Sequence, residues 1–419
     1  NIFSKRMKRH RNCLNMVLNA PVTKSEKGLT QTILDDLIDA NVRTAAKRPI
    51  VLQFSLKSSW LWKQWKGTVF SKSWPICVRN MLFATLVTVF LNKRFPTLTE
   101  QQQQQHLLVG FDTLWIQLLS VTTFTLTFFL DGSYKVWRNC MELSRRLQGR
   151  LSDINMSLAA HAARSPSEDD GYTPAASSLL QIMGRYTRLF NLLVYASLTR
   201  SHRPILTPSG LRRAVERGLL TPGERECLVG ADMPATQRHT CVMMWMLRLF
   251  VDGRKHGHFG GGNGFESEFL DKVYVIRAQV DAISGVLQGR MPLAYAHIVQ
   301  VLVDTVLWMY PVVAYICFGF RAWLVVVGTG LLSLFYQGLL ELAKQFLDPY
   351  DNENYGKAGA VGDPLRVETL IAESNAASVR WMEGGRRISI PGEKMREGEL
   401  NEYVLPLRGF SVEEVQARK

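Results

Sequence analysis

Three groups of residues have the types and spacing to do chemistry. His256-Gly257-His258, followed by Gly260-Gly261-Gly262-Asn263-Gly264, joins two imidazoles to a glycine run, the material of a metal site or a phosphate loop. Two histidines without further placed ligands do not make a zinc site, and the glycines lack the Gly-Lys-Ser/Thr ending that a phosphate loop needs. The segment reads as a flexible connection. Asp348-Pro349-Tyr350-Asp351-Asn352-Glu353-Asn354 is rich in oxygen donors, and such spacing can chelate a hard cation. Asn352 and Asn354 interrupt the acids and Gly356 follows, so a solvated acidic turn explains the segment equally well. His297, Gln300 and Asp304 lie in an apolar stretch, where such groups serve a proton path or pair with neighbouring helices; pairing is the expectation. No nucleophile with its base, metal set or cofactor fingerprint is present, which argues against an enzyme.

Four apolar blocks must position these residues: 74–91, 107–130, 297–320 and 322–346. Each approaches the ~20 residues that a membrane helix needs. The second differs in kind. It carries Asp112, Gln117 and the hydroxyls of Thr113, Ser120, Thr122, Thr123, Thr125 and Thr127, more polar groups than a helix facing lipid all round would keep. One side of it should meet water, protein or a pore. Lys57, Lys63, Lys66 and Lys72 precede the first block, and Lys135, Arg138, Arg145, Arg146 and Arg150 follow the second. The loops left for the other side carry only Lys93, Arg94 and Arg321, so both termini and the long middle section are expected on the cytoplasm-like side.

The net charge of +14 fits basic flanks against lipid headgroups. Nucleic-acid binding is not expected, because no zinc-finger spacing, RNA-binding signature or basic helix with interleaved aromatics occurs. Cys13, Cys77, Cys140, Cys227, Cys241 and Cys317 are scattered without a CxxC pair and read as free thiols. Residues 1–56 form a basic N-terminal extension. Its first part, with Lys5, Arg6, Lys8, Arg9 and Arg11 and no acid before Glu26, has the composition of an organellar targeting segment and equally of a solvated tail. Gln101–Gln105 is low complexity in an outer loop. Between the second and third blocks, 159–178 has the composition of a disordered insertion. Helical periodicity resumes over 179–199, 211–219, 241–251 and 269–287, with a turn at Thr221-Pro222-Gly223-Glu224. No alternating strand pattern competes, so the fold class is all-α: four transmembrane helices continuing into a cytosolic helical bundle.

The order of features over residues 60–375 resembles the bestrophins, a family of pentameric anion channels. The resemblance is carried by Trp65-Lys66-Gly67-Thr68-Val69, Leu98-Thr99-Glu100-Gln101-Gln102, Ile116-Gln117-Leu118, Ser133-Tyr134-Lys135-Val136-Trp137 and Gly218-Leu219-Leu220-Thr221-Pro222-Gly223-Glu224. Arg277, Pro292-Leu293-Ala294-Tyr295 and Gln345-Phe346-Leu347-Asp348-Pro349-Tyr350 complete it. It implies a channel domain over 57–350, a C-terminal tail over 351–419, and a homopentamer around a central pore in a lipid bilayer.

In that family the second membrane helix lines the pore, and apolar side chains at i, i+4 and i+8 form a neck. Counting from Ser133-Tyr134 puts the neck at Ser120, Phe124 and Phe128; counting from Ile116-Gln117-Leu118 puts it at Leu119, Thr123 and Thr127. The first register is preferred, because phenylalanine presents positively polarised ring edges to an anion. Ser120 departs from the apolar residue that the family usually has there. The resemblance places a cytosolic aperture near Gly264 and Phe265, and at the fourth span a calcium site where Asp351 and Glu353 would give side chains and Gln345 and Asp348 carbonyls. Arg277 and Arg248 are expected to pair or to face the vestibule, where positive potential concentrates anions. The resemblance implies passive conduction of chloride and bicarbonate. A non-conducting bestrophin-like subunit of a larger membrane complex is the alternative. An organelle membrane of thylakoid type is favoured over the plasma membrane.

Overall fold

A computed structural model of the chain describes residues 49–51, 55–63, 68–94, 110–165, 171–317, 322–353 and 364–387. Helices account for nearly all of them, and among the described residues strand pairing is limited to two isolated bridges, Ala162 with Phe259 and Arg164 with Tyr172. In chain order the helices are α1 (Ser58–Lys63), α2 (Phe70–Arg94), α3 (Phe111–His161), α4 (Pro174–Leu198), α5 (Pro208–Glu216) and α6 (Pro222–Gly230). They continue as α7 (Arg238–Lys255), α8 (Gly262–Gln288), α9 (Leu293–Cys317), α10 (Ala322–Phe346) and α11 (Val367–Arg387).

Four of these, α2, α3, α9 and α10, are long and apolar enough to cross a membrane, as the four apolar blocks predict. Leu126 and Phe129 of α3 pack with Val299, Val303 and Leu307 of α9 and with Leu340 and Ala343 of α10. In lipid, apolar burial gives helices little reason to associate, so close packing and interhelical hydrogen bonds must hold them. Both are present. Gly328 makes room for Tyr310 and Gly330 for Met81, and Asn80 Nδ2 donates to Ser333 Oγ at 3.0 Å between α2 and α10, with both side chains buried. A double-mutant cycle of Asn80→Ala and Ser333→Ala, read by thermal unfolding in detergent, is expected to give a coupling of about 1 kcal/mol. Additive single effects would contradict this pairing.

Helix α3 joins the two halves of the molecule. At 51 residues it runs about 75 Å, far more than a bilayer needs. Its outer part buries Thr122, Leu126, Phe129 and Ser133 against the membrane helices, and its inner part buries Cys140, Leu143, Leu147, Leu151, Ile154 and Leu158 in a second core. That core is built with α4, α7, α8 and α11, around Tyr195, Phe250 and Phe269; the last two rings stack at 3.8 Å.

Three stretches outside the sequence-delimited channel helices are ordered where they are described. Disorder over 159–178 is not what the described part of that segment adopts: α3 runs to His161, Ala163 and Ser165 bond Thr173 and Gly171, and Thr173 caps α4. Small polar composition there hides regular capping chemistry. The tail over 351–419 contains α11, whose Leu370 and Ile371 are buried and whose Glu373 reaches Arg145 at 2.6 Å. The extension over 1–56 ends inside the core: Ile50 is buried and its carbonyl accepts the Arg366 amide. The basic stretch Lys5–Arg11, the Gln101–Gln105 run, Trp65-Lys66-Gly67 and Arg321 lie outside the described residues.

Candidate functional site

On the membrane part of α3, one face is packed and the opposite face is open. At roughly 100° per residue, Ser120, Phe124 and Phe128 centre roughly 170° from the mean direction of Thr122, Leu126, Phe129 and Ser133, while Leu119, Thr123 and Thr127 centre roughly 90° from it. Exposure agrees: Phe124 is 67% and Phe128 56% accessible, and Ser120 is exposed. The two rings touch edge to face at 4.6 Å. The other register is partly engaged within the subunit, because Leu119 is half-buried and Thr123 Oγ1 lies 2.6 Å from the hydroxyl of Tyr336 on α10.

Four of the hydroxyls that make this helix polar are satisfied by their own backbone, whereas Thr122 Oγ1 is buried with no hydrogen-bond partner among the described residues. Ser120, Thr123, Thr125 and Thr127 each donate to the carbonyl four residues earlier, at 2.8–2.9 Å. Back-bonding leaves their oxygens as acceptors and removes most of the cost of burying a donor. Trp115 Nε1 donates to the Val306 carbonyl at 3.0 Å and Phe129 meets Tyr295 edge to face, which fixes the rotation of α3 against α9.

The acidic turn after α10 brings Gln345, Asp348, Asp351 and Glu353 together, yet their donors are engaged. Asp348 is 7% exposed; its carboxylate accepts the amides of Asn352 at 2.9 Å and Glu353 at 2.8 Å. Arg290, from the α8–α9 junction, stands 3.6 Å from Asp348 Oδ1 and donates to Glu353 Oε1. The Gln345 carbonyl accepts the Asp348 amide, and the Asp348 carbonyl accepts that of Asp351, which sits in the left-handed region at φ 54. Among the described residues no group of three or more His, Cys, Asp or Glu converges on a metal position. The turn therefore does not fit calcium, because a guanidinium already supplies the positive charge. Asn354 and Gly356 lie outside the described residues. Calcium or a chelator is expected to shift the unfolding midpoint of the full chain by less than about 1 °C. A calcium-dependent rise would contradict that. Arg290 has no sequence pattern linking it to an acid 63 positions away.

Phe265, expected near a cytosolic aperture, is packed inside the subunit. It is 4% exposed, stacked on His161 at 3.7 Å and edge-on to Phe250, because α8 begins at Gly262 and turns that side inward. Gly264 is exposed with open space around it. The connection at His256–Gly261, expected to be flexible, is pinned: Arg254 donates to the carbonyls of Phe259, Gly260 and Gly262, and Phe259 is buried. Gln300 Nε2 donates to Asp304 at 2.8 Å and Lys344 on α10 donates to Gln300, so the pairing expectation holds for these residues, while His297 is exposed. Arg277 is exposed, 3.9 Å from Asp281, and Arg248 is exposed.

The Thr221–Glu224 segment does more than turn the chain. Thr221 and Glu224 form a reciprocal cap for α6, and the Glu224 carboxylate also receives two N–H groups of Arg185 at 2.6 and 2.7 Å and the Tyr186 hydroxyl at 2.7 Å. Burial pushes the Glu224 carboxyl up, but Arg185, the Thr221 amide and Tyr186 outweigh it and hold it at about 2.

The family described as "Bestrophin, RFP-TM, chloride channel" matches residues 51–357. Among solved structures, three forms of a bacterial bestrophin homolog from Klebsiella pneumoniae are similar, two of them mutants. Identities are 13–14%, TM-scores 0.54–0.55, and the alignments cover 73% of this chain and 97–98% of theirs. None of the curated proteins matches this chain. The match over most of its length, with four membrane-crossing helices in the same fold, makes this chain an integral membrane protein that belongs to the bestrophin family.

Proposed function

We propose that the protein is an anion channel in which five copies surround a pore lined by α3, with chloride and bicarbonate passing down their gradients. The carrying observation is the open face of α3: Phe124 and Phe128 project from a helix whose opposite side is fully packed. Among the described residues of one subunit these rings pair only with each other, and around a shared axis they would form a constriction at Ser120, Phe124 and Phe128. Ring edges there favour an anion over a cation, and the back-bonded hydroxyls beside them offer little to hold a dehydrated cation.

The test has two readings on the same purified sample. Native mass in detergent should correspond to five chains of 47.5 kDa, and proteoliposomes should release chloride without any energy source. A monomer, or a tight pentamer without anion flux, would overturn the proposal; the second result would favour a non-conducting membrane subunit.

A further inference from the structure

The connection between α6 and α7, outside the membrane helices, carries three sulfur atoms over residues 227–241: Cys227, Met233 and Cys241. Helix α6 ends at Gly230; the Ala231 amide bonds the Cys227 carbonyl, and the Met233 amide bonds the Ala231 carbonyl at 2.7 Å, so the chain turns at once. Pro234 and a short helical turn over Ala235–Gln237 then start α7 at Arg238, which puts Cys241 in its first turn. There the Cys241 thiol donates to Met233 Sδ at 3.4 Å. Two sulfurs on one metal, each bound at about 2.3 Å with trigonal or tetrahedral angles, lie roughly 3.8–4.0 Å apart. The pair therefore needs only a few tenths of an ångström of movement to share an ion.

Packing alone would explain one thiol on one thioether, and Cys227 adds the third sulfur. Burial pushes the Cys241 thiol up, the Arg238 charge draws it back and Cys227 raises it again, so a guanidinium and a second thiol both stand within electrostatic reach of Cys241. Cys227 is exposed and Cys241 half-buried, which gives an ion both an entry path and a sheltered seat. Arg238 Nη1 is held by the Leu206 carbonyl at 2.7 Å, while its Nε is buried without a hydrogen-bond partner. We infer that Cys227, Met233 and Cys241 form a binding site for a soft monovalent metal ion, copper(I). Thiolate and thioether together select that ion, since structural zinc takes thiolate, imidazole and carboxylate. Binding releases the two thiol protons to solvent and exchanges no electron. Two thiolates around a monovalent cation leave one negative charge, which the Arg238 guanidinium offsets.

The site is independent of the pore, so its test reads binding and not current. The full chain in detergent, reduced and free of oxygen, is titrated with copper(I) against a chromophoric copper(I) chelator. The native chain should take up copper(I) with sulfur-only coordination by X-ray absorption, and zinc(II) should bind at least about tenfold more weakly. Loss of a group that merely supports a metal ligand costs about 10–100-fold in affinity. Met233→Leu, which removes a ligand and keeps the volume, should therefore weaken copper(I) binding at least about tenfold. Cys227→Ser, at an exposed position, should weaken it as much and keeps the test decisive if Met233→Leu does not fold. No copper(I) uptake by the native chain, tighter binding of zinc(II), or unchanged copper(I) affinity in either folded variant would overturn the assignment.

Discussion

Replacing Glu224 by alanine should lower the unfolding midpoint of the full chain by roughly 3–5 °C. The carboxyl lies at about 2 against an ordinary 4.5, and each unit is worth about 1.4 kcal/mol, so the charged form contributes on the order of 3 kcal/mol. Its side chain is only 15% exposed, which limits screening by solvent. The alanine variant also strands Arg185, itself 17% exposed, and an unpaired charge at such a site is costly. The pH dependence follows from the depressed value. The contribution is complete above about 4.5 and is lost as pH falls toward 2, where the folded form finally protonates. Glu224→Gln should therefore differ most from the native chain near neutrality and converge with it near pH 2. A difference independent of pH, measured by thermal unfolding across that range, would contradict the charge-based account.

Phe124→Ala should raise unitary anion conductance about tenfold, equivalent to removing about 1.4 kcal/mol from the barrier at the constriction. The ring it removes is the most exposed large side chain on the open face of α3, and in a five-fold arrangement the change occurs five times at one level. An apolar constriction passes ions poorly because it dewets, and alanine both widens and wets it. Thr123→Val is the matching control. Thr123 faces Tyr336 within the subunit, so its loss should leave conductance within about twofold. The reverse ranking of the two variants would move the neck to Leu119, Thr123 and Thr127.

Apolar length and flanking charge made the membrane helices legible from sequence, and the last span is found at Ala322–Phe346, where the apolar run places it. The hydroxyl count of α3 was a weaker guide than it looks. Because serine and threonine bond their own helix, four of those hydroxyls carry no demand for water, and the open face is recognised instead by what packs on the other side. Sequence spacing does not show that α8 starts at Gly262 and turns the Phe265 ring toward His161. The acidic turn was legible as a cluster of oxygens, but its cation is Arg290, brought in from the α8–α9 junction by tertiary packing alone. Helix α11 was hidden for a similar reason: its buried stripe becomes meaningful only against α3, where Gln148 Nε2 meets the Leu370 carbonyl at 2.6 Å.

In the proposed channel, anions cross the membrane past the phenylalanine face of α3. Planar-bilayer recording under a chloride gradient, comparing the native chain with Phe124→Ala, tests it most directly. The native chain should carry a current that reverses near the chloride equilibrium potential, and the variant should carry a larger one. No anion current from the native protein would contradict conduction itself, and a native current that Phe124→Ala leaves unaltered would contradict the assignment of the neck to Ser120, Phe124 and Phe128.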